Sequence, residues 1–292
     1  MADPTKAEGS VEIPKTAFTI TSQPIQTERY IKIMVYGDYG TGKSTLAGTS
    51  VDVSQMRDVL LIDAESGEMA YDENPRIENS GLIDRIRVTD FKSVAKVQQF
   101  LKAHCHHRDL GNTEKLLELE RMVKPGVEIT EPKQYRTIII DSLTEINEFC
   151  MYQLLGLSTG MELDPETMDV AEWGEFRKNN QMMQLLIRAY RDLPMNVILI
   201  CSSAYTQDEL KRKAFAPNIT GKLSLQVQGF MDVVGYLMSG KIAEGNEQAP
   251  RRLYVQPVGN FAAKNRRAIF KGAHFDDPTM GQIMSALKLI SE

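Results

Sequence analysis

The run Tyr36-Gly37-Asp38-Tyr39-Gly40-Thr41-Gly42-Lys43-Ser44-Thr45 constrains this chain more than any other. It fits G-x-x-x-x-G-K-[ST] at every fixed position. Its flanks fit too: the apolar, β-branched Ile31-Lys32-Ile33-Met34-Val35-Tyr36 reads as a buried strand, and Ser44-Thr45-Leu46-Ala47 opens a helix. Strand, glycine-rich loop and helix together make a phosphate cradle. Gly37, Gly40 and Gly42 allow backbone conformations that a Cβ would forbid, so successive N–H groups can point at phosphate oxygens. Lys43 supplies a point charge for the β- and γ-phosphates, and the Ser44 hydroxyl is a ligand for Mg²⁺. The whole stretch Gly37, Asp38, Tyr39, Gly40, Thr41, Gly42, Lys43, Ser44 and Thr45 is the expected nucleotide cradle.

A cradle of this kind needs an α/β core, and 292 residues suffice for one large α/β domain or two small ones. The 34 basic and 39 acidic residues leave a formal net charge of −5, so any nucleic-acid contact has to come from local basic patches. Cys105, Cys150 and Cys201 show no C-x-x-C spacing, which suits a reducing cytoplasm. The polar N-terminus lacks the apolar core of a signal peptide, and no apolar run approaches a membrane span. The expectation is a cytoplasmic protein that does not engage a membrane.

Two further strands complete the chemistry. Asp58-Val59-Leu60-Leu61-Ile62-Asp63-Ala64-Glu65 reads as a buried strand ending in carboxylates. Side chains two apart on a strand share a face, so Asp63 and Glu65 are both candidates to face the end of the sheet, where parallel sheets hold their ligands. A carboxylate there can take a proton from a water facing the γ-phosphate, or can be a solvated turn residue. Thr137-Ile138-Ile139-Ile140-Asp141-Ser142 is a β-branched run that delivers Asp141 to the Mg²⁺ shell.

The rest of the chain is read around these. Residues 1–29 carry Pro4, Pro14 and Pro24 without sustained period and read as a flexible arm, or one that docks on a neighbouring subunit. Residues 30–292 form the main domain. Ile83–Val88 is a strand and Phe91–His107 a helix; the cluster His104-Cys105-His106-His107 fits a helix end better than a metal site. Residues 109–135 read as a surface insertion with one short helix at Glu114–Met122. Helices follow at Leu143–Leu157 and Trp173–Tyr190, the second with a buried stripe of Phe176, Met183, Leu186, Ile187 and Tyr190, and Trp173 as core or interface packing in preference to a base-stacking platform. Asn196–Cys201 is another buried strand, ending in Ser202-Ser203, whose hydroxyls sense a γ-phosphate or cap a turn. Lys211, Arg212, Lys213 and Lys222 form the basic loop that best suits a phosphodiester backbone, with a solvated hairpin tip as the plain alternative. Phe230–Met238 and Arg252–Gln256 read as a C-terminal β-hairpin, and Met280–Ile290 as a closing helix.

These motifs resemble the RecA-like ATPase core. Ile62-Asp63-Ala64-Glu65 looks like that family's second-strand motif, whose glutamate activates the attacking water, and Ile140-Asp141-Ser142 looks like its Mg²⁺-associated strand. Lys264-Asn265-Arg266 resembles the K-x-R finger pair that DnaB-type hexameric helicases insert into a neighbour's site. Order and spacing over residues 30–270 look closest to small phage-encoded RecA-like ATPases of single-strand annealing and recombination, often described as nucleotide-binding AAA domains. The resemblance implies an α/β fold with a largely parallel sheet flanked by helices. It implies ATP and Mg²⁺ as cofactors, with catalytic roles for Lys43, Glu65 and Asp141, and for Lys264 and Arg266 acting in trans within a homo-oligomer. It also implies single-stranded DNA as partner, in the host cytoplasm if the chain is phage-encoded. Ser202-Ser203 departs from the Gln or His that relatives often carry there. No N-K-x-D signature appears, which argues against a GTPase. Two other classes remain open: a nucleotide-gated ring or filament whose partner is a protein, and a small-molecule phosphotransferase, for which no arginine-rich lid is apparent.

Overall fold

The computed structural model describes residues 30–72, 74–157, 170–207, 213–240, 249–267 and 269–290. The expected arm, the Ala17–Ile20 strand, Lys211 and Arg212 all lie outside the described residues. The strands are β1 Lys32–Gly37, β2 Val59–Asp63, β3 Ile83–Arg87, β4 Thr137–Asp141, β5 Asn196–Gln207, β6 Lys213–Pro217, β7 Val233–Ser239, β8 Arg251–Tyr254, β9 Lys264–Asn265 and β10 His274–Asp276. The helices are α1 Lys43–Gly48, α2 Phe91–Asp109, α3 Thr113–Val123, α4 Leu143–Leu154, α5 Trp173–Arg191, α6 Leu223–Gln226 and α7 Met280–Ala286.

One ten-stranded sheet runs β10-β8-β7-β1-β5-β4-β2-β3, with β6 attached to β5 and β9 to β7. From β7 to β3 the pairing is parallel throughout. β8, β10, β6 and β9 are antiparallel additions. The fold is thus the α/β, largely parallel, helix-flanked sheet expected of a RecA-like core, with antiparallel strands at its C-terminal side.

Both faces of the parallel strands are covered, which is why their sequences read as continuous apolar runs rather than alternations. On one face Met34, Leu60, Ile62, Ile138, Ile140, Val197 and Leu199 pack with Val94, Leu101, Ile146, Met183 and Tyr190 from α2, α4 and α5. On the other, Ile33, Val35, Leu61, Ile139 and Ile198 pack with Leu46 of α1, Tyr71, Ile77 and Met280 and Ile283 of α7. Each large apolar side chain so buried contributes ~1.5–3 kcal/mol. Side-chain caps set the helix starts: Asp90 accepts from Ser93 N at 2.8 Å, and Thr279 forms a reciprocal box with Gln282.

Several boundaries differ from the sequence reading. The strand expected from Phe230 starts at Val233, because residues Val227–Gly229 turn as a 3₁₀ segment. α5 buries Met183, Leu186, Ile187 and Tyr190 as expected. Trp173 is 91% exposed and Phe176 45%, so neither belongs to the core stripe. α3 covers the predicted helix and buries Leu116 and Glu120, with Lys124 Nζ bridging Glu120 and Asp84 of β3 at 2.6 and 2.8 Å. No helix among the described residues is long and apolar enough to cross a membrane.

Candidate nucleotide site

The site is built where β1 hands over to α1. Gly37 ends β1 against β7, and a Cβ there would sit 2.2 Å from the Leu237 carbonyl oxygen, so the close approach of the neighbouring strand demands glycine. Gly42, the residue before α1, has φ +90°. Between them the loop is held by Thr41 Oγ1, which donates to Asp38 O at 2.9 Å. Lys43 Nζ folds back over the loop and donates to Gly37 O at 3.0 Å and Asp38 O at 2.8 Å. Burial pulls the Lys43 ammonium below its ordinary pKa, and the carboxylates of Asp141 and Glu65 oppose that shift. A half-buried cation resting on carbonyls and facing two acids is poised to receive an anion.

The acids arrive by sheet register. Parallel pairing of β2 with β4 sets Asp63 beside Asp141. Asp141 is buried, and desolvation raises its pKa, with Glu65 and Asp63 adding like-charge repulsion. The Tyr71 hydroxyl, completely enclosed, donates to Asp141 Oδ2 at 2.7 Å, and Ser44 also interacts with this carboxylate. Asp63 and Glu65 do not share a role. Asp63 Oδ1 accepts from Glu65 N at 3.1 Å and Gly67 N at 3.2 Å, bracing the turn that presents Glu65. Glu65 is exposed and receives the Ser142 hydroxyl on Oε1. Lys43, Ser44, Glu65 and Asp141 are therefore together, as the sequence predicts. The set fits Mg²⁺: a hydroxyl and a buried carboxylate beside a phosphate cradle are the hard oxygen donors that this ion takes.

The opposite wall is closed from the middle of β5, which does not end at Ser202-Ser203 as the sequence suggests but runs on to Gln207, paired with β6. Ser203 donates its hydroxyl to Asp38 Oδ1 of the loop, and Ser202 N takes a 3.0 Å bond to Thr144 Oγ1. Asn218 Nδ2 reaches Ser202 Oγ at 3.2 Å. Ser203 is also the first residue of the β5–β6 ladder, opposite Pro217. The phosphate loop is thus hydrogen-bonded to β5 where its pairing with β6 begins. Lys222 is exposed just before α6.

Lys264 and Arg266 are elsewhere. Lys264 pairs with Val234 at the start of β7, and its Nζ donates to Gln228 O at 2.6 Å and Met231 O at 3.3 Å. Arg266 reaches Gly229 O and lies 3.7 Å from Asp232 Oδ1. Within one chain these cations serve the turn before β7, not the phosphate loop.

Sequence reasoning missed Tyr71, Asn74 and Thr144. Asn74 Nδ2 donates to Thr45 Oγ1 at 3.1 Å and Ala70 O at 2.8 Å, tying the segment after Glu65 to α1. Both Tyr71 and Asn74 sit in an irregular turn with no periodicity to mark them. Their one signal is position, a few residues beyond a strand that ends in acids.

These features define a P-loop nucleotide-binding protein. The sequence profile of the AAA domain matches residues 29–267, and the chain belongs to that family of P-loop ATPases. No curated protein sequence matches it. Among solved structures, the RadB recombinase is similar at a TM-score of 0.36 and 16% identity, over 77% of this chain and 79% of that one.

Proposed function

We propose that this chain is a Mg²⁺-dependent ATPase that works as a homo-oligomer on single-stranded DNA, in recombination, annealing or replication. The observation that carries the reading is the hydrogen bond from Ser203 to Asp38, because it joins the nucleotide loop to the start of the β5–β6 ladder. Nucleotide state in the loop thereby biases the paired strands β5 and β6; in sequence Lys211 and Arg212 fall between them, and with Lys213 and Lys222 they supply the positive charge that a phosphodiester backbone requires.

In the hydrolytic step a water attacks the γ-phosphorus in line, and the bond to the β–γ bridging oxygen breaks to leave ADP and inorganic phosphate. Glu65 takes the proton of that water, and the Ser142 hydroxyl on Oε1 fixes which way the carboxylate faces. Lys43 exchanges the Gly37 and Asp38 carbonyls for phosphate oxygens. Ser44 and Asp141 would hold Mg²⁺, which neutralises charge on the β- and γ-oxygens when bound. Lys264 and Arg266 would act on a neighbouring subunit's site, since their own chain engages them away from the loop.

The test is binding of a labelled single-stranded oligonucleotide, with and without a non-hydrolysable ATP analogue, over a salt series. The reading expects tighter binding with analogue and a loss of affinity as salt rises. Absence of oligonucleotide binding alongside intact ATPase activity would favour a protein partner instead.

A further inference from the structure

We propose that Arg251 is a second cation of the nucleotide site, outside the motif, that binds the phosphates common to ADP and ATP; this rests on the nucleotide-binding reading above. The sheet order puts β8 and β4 on opposite sides of β1, each two strands away, so about 10 Å to either side. β4 brings Asp141 to the site. β8 runs antiparallel to β7 with Arg251 opposite Ser239, so its first residue stands at the carboxyl edge, where the phosphate loop also emerges.

Contact with the loop is direct. A Cβ at Gly42 would lie 2.7 Å from Arg251 Cζ and Nη1 and 2.9 Å from Nε, so the guanidinium rests on the Gly42 backbone. Glycine is required at this position for its φ of +90°, and its lack of a Cβ leaves the guanidinium room to lie on the backbone.

The guanidinium lies there without a hydrogen-bond acceptor among the described residues. Arg251 is anchored by its backbone, whose N–H donates to Asp277 Oδ1 at 3.2 Å and whose carbonyl accepts from Asp277 N at 2.7 Å. Asp277 is also shared with Arg76, at 3.7 Å. Among the described residues the guanidinium of Arg251 makes no hydrogen bond, while Arg252 next to it is paired with Asp276 at 2.6 Å. Burial and the neighbouring Arg76 both lower the Arg251 pKa, with Asp277 only partly compensating. Five donors in a half-buried planar fork, with no acceptor, match the geometry of a phosphate.

Its placement also selects which phosphates. Lys43 faces Asp141 and Glu65, whereas Arg251 faces Arg76 and Asp277 and none of the catalytic acids. Lys43 reaches the β- and γ-phosphates, and the loop backbone cradles the α- and β-phosphates. Arg251 lies against that backbone at Gly42, away from the hydrolytic side.

Equilibrium titration of the full chain with fluorescent ATP and fluorescent ADP tests this, using Arg251→Gln, Arg251→Lys and the control Arg252→Ala. Arg251→Gln is expected to weaken both nucleotides by about tenfold and by the same factor. Arg251→Lys recovers part of the loss, because a point charge replaces a fork, and Arg252→Ala changes nothing. Unchanged or tighter binding by Arg251→Gln overturns the assignment, as does a loss confined to ATP. If Arg251→Gln fails to fold by circular dichroism, Arg251→Lys decides, since wild-type affinity in that variant overturns it equally. Failure of the wild-type chain to bind either nucleotide with millimolar Mg²⁺ overturns the nucleotide reading and this one together. Wild-type binding with an unaffected Arg251→Gln overturns this one alone.

Discussion

Tyr71 donates a 2.7 Å hydrogen bond to Asp141 across 70 residues of sequence, and both side chains are buried. The hydroxyl partly offsets the desolvation of a carboxylate that also faces Asp63 and Glu65. Tyr71→Phe keeps the ring in its packed position and removes only the donor. It is expected to lower stability by about 1–3 kcal/mol. Urea unfolding of the two proteins measures this, and coincident midpoints would contradict it.

Asp141 gives a pH dependence with a definite sign. Its folded pKa is raised, so the folded chain keeps this proton to higher pH than the unfolded chain does. The group's contribution to stability is present below the ordinary carboxylate pKa and is lost as pH rises through the raised value. Asp141→Asn removes that loss. At neutral pH, without nucleotide or metal, this variant should melt above wild type, while its apparent Mg²⁺ affinity in turnover falls ~10–100-fold. A variant that melts lower at neutral pH would contradict the burial argument.

Ser203→Ala breaks the link between the phosphate loop and the hairpin without touching Lys43 or the acids. One such bond is worth about 1 kcal/mol, so the apparent KM for ATP should rise roughly fivefold at most. The enhancement of oligonucleotide binding by an ATP analogue should shrink with it. Full retention of that enhancement would show that the hairpin responds by another route.

Lys264 and Arg266 are tied to Gln228, Met231, Gly229 and Asp232 in their own chain, so any catalytic part they play requires a second subunit. A Lys264→Ala, Arg266→Ala chain and a Lys43→Ala chain should each be inactive alone. Mixed together, they should regain part of the activity, because some interfaces then hold an intact loop and intact fingers. Mixtures as inactive as their components would remove these residues from the mechanism.

How far the sequence discloses this site depends on what each residue leans on. β1, β2, β4 and the first half of β5 are legible because burial on both faces makes each one a short apolar run that leads to the residues carrying chemistry, whereas the continuation of β5 to Gln207 and its pairing with β6 carry no such run. Gly37 and Gly42 are legible because backbone geometry admits nothing else. Tyr71 and Asn74 are not, since their roles come from tertiary contacts to Asp141 and Thr45 made out of an aperiodic turn. Arg251 opens β8, between β10 and β7, and only the antiparallel register with β7 reveals that it stands beside the loop. Phe176, and Trp173 as a core residue, mislead for a related reason: the helical stripe of α5 extends toward its first turn, but among the described residues the core covers only the later turns. The division between Asp63 and Glu65 was equally hidden, because it depends on which carboxylate the turn's own N–H groups capture.

The most direct measurement is phosphate release from ATP by wild type and by Glu65→Gln, with nucleotide affinity determined on the same samples. The variant should bind ATP as tightly as wild type while turnover falls ~10²–10⁴-fold. Wild-type turnover by Glu65→Gln would contradict it.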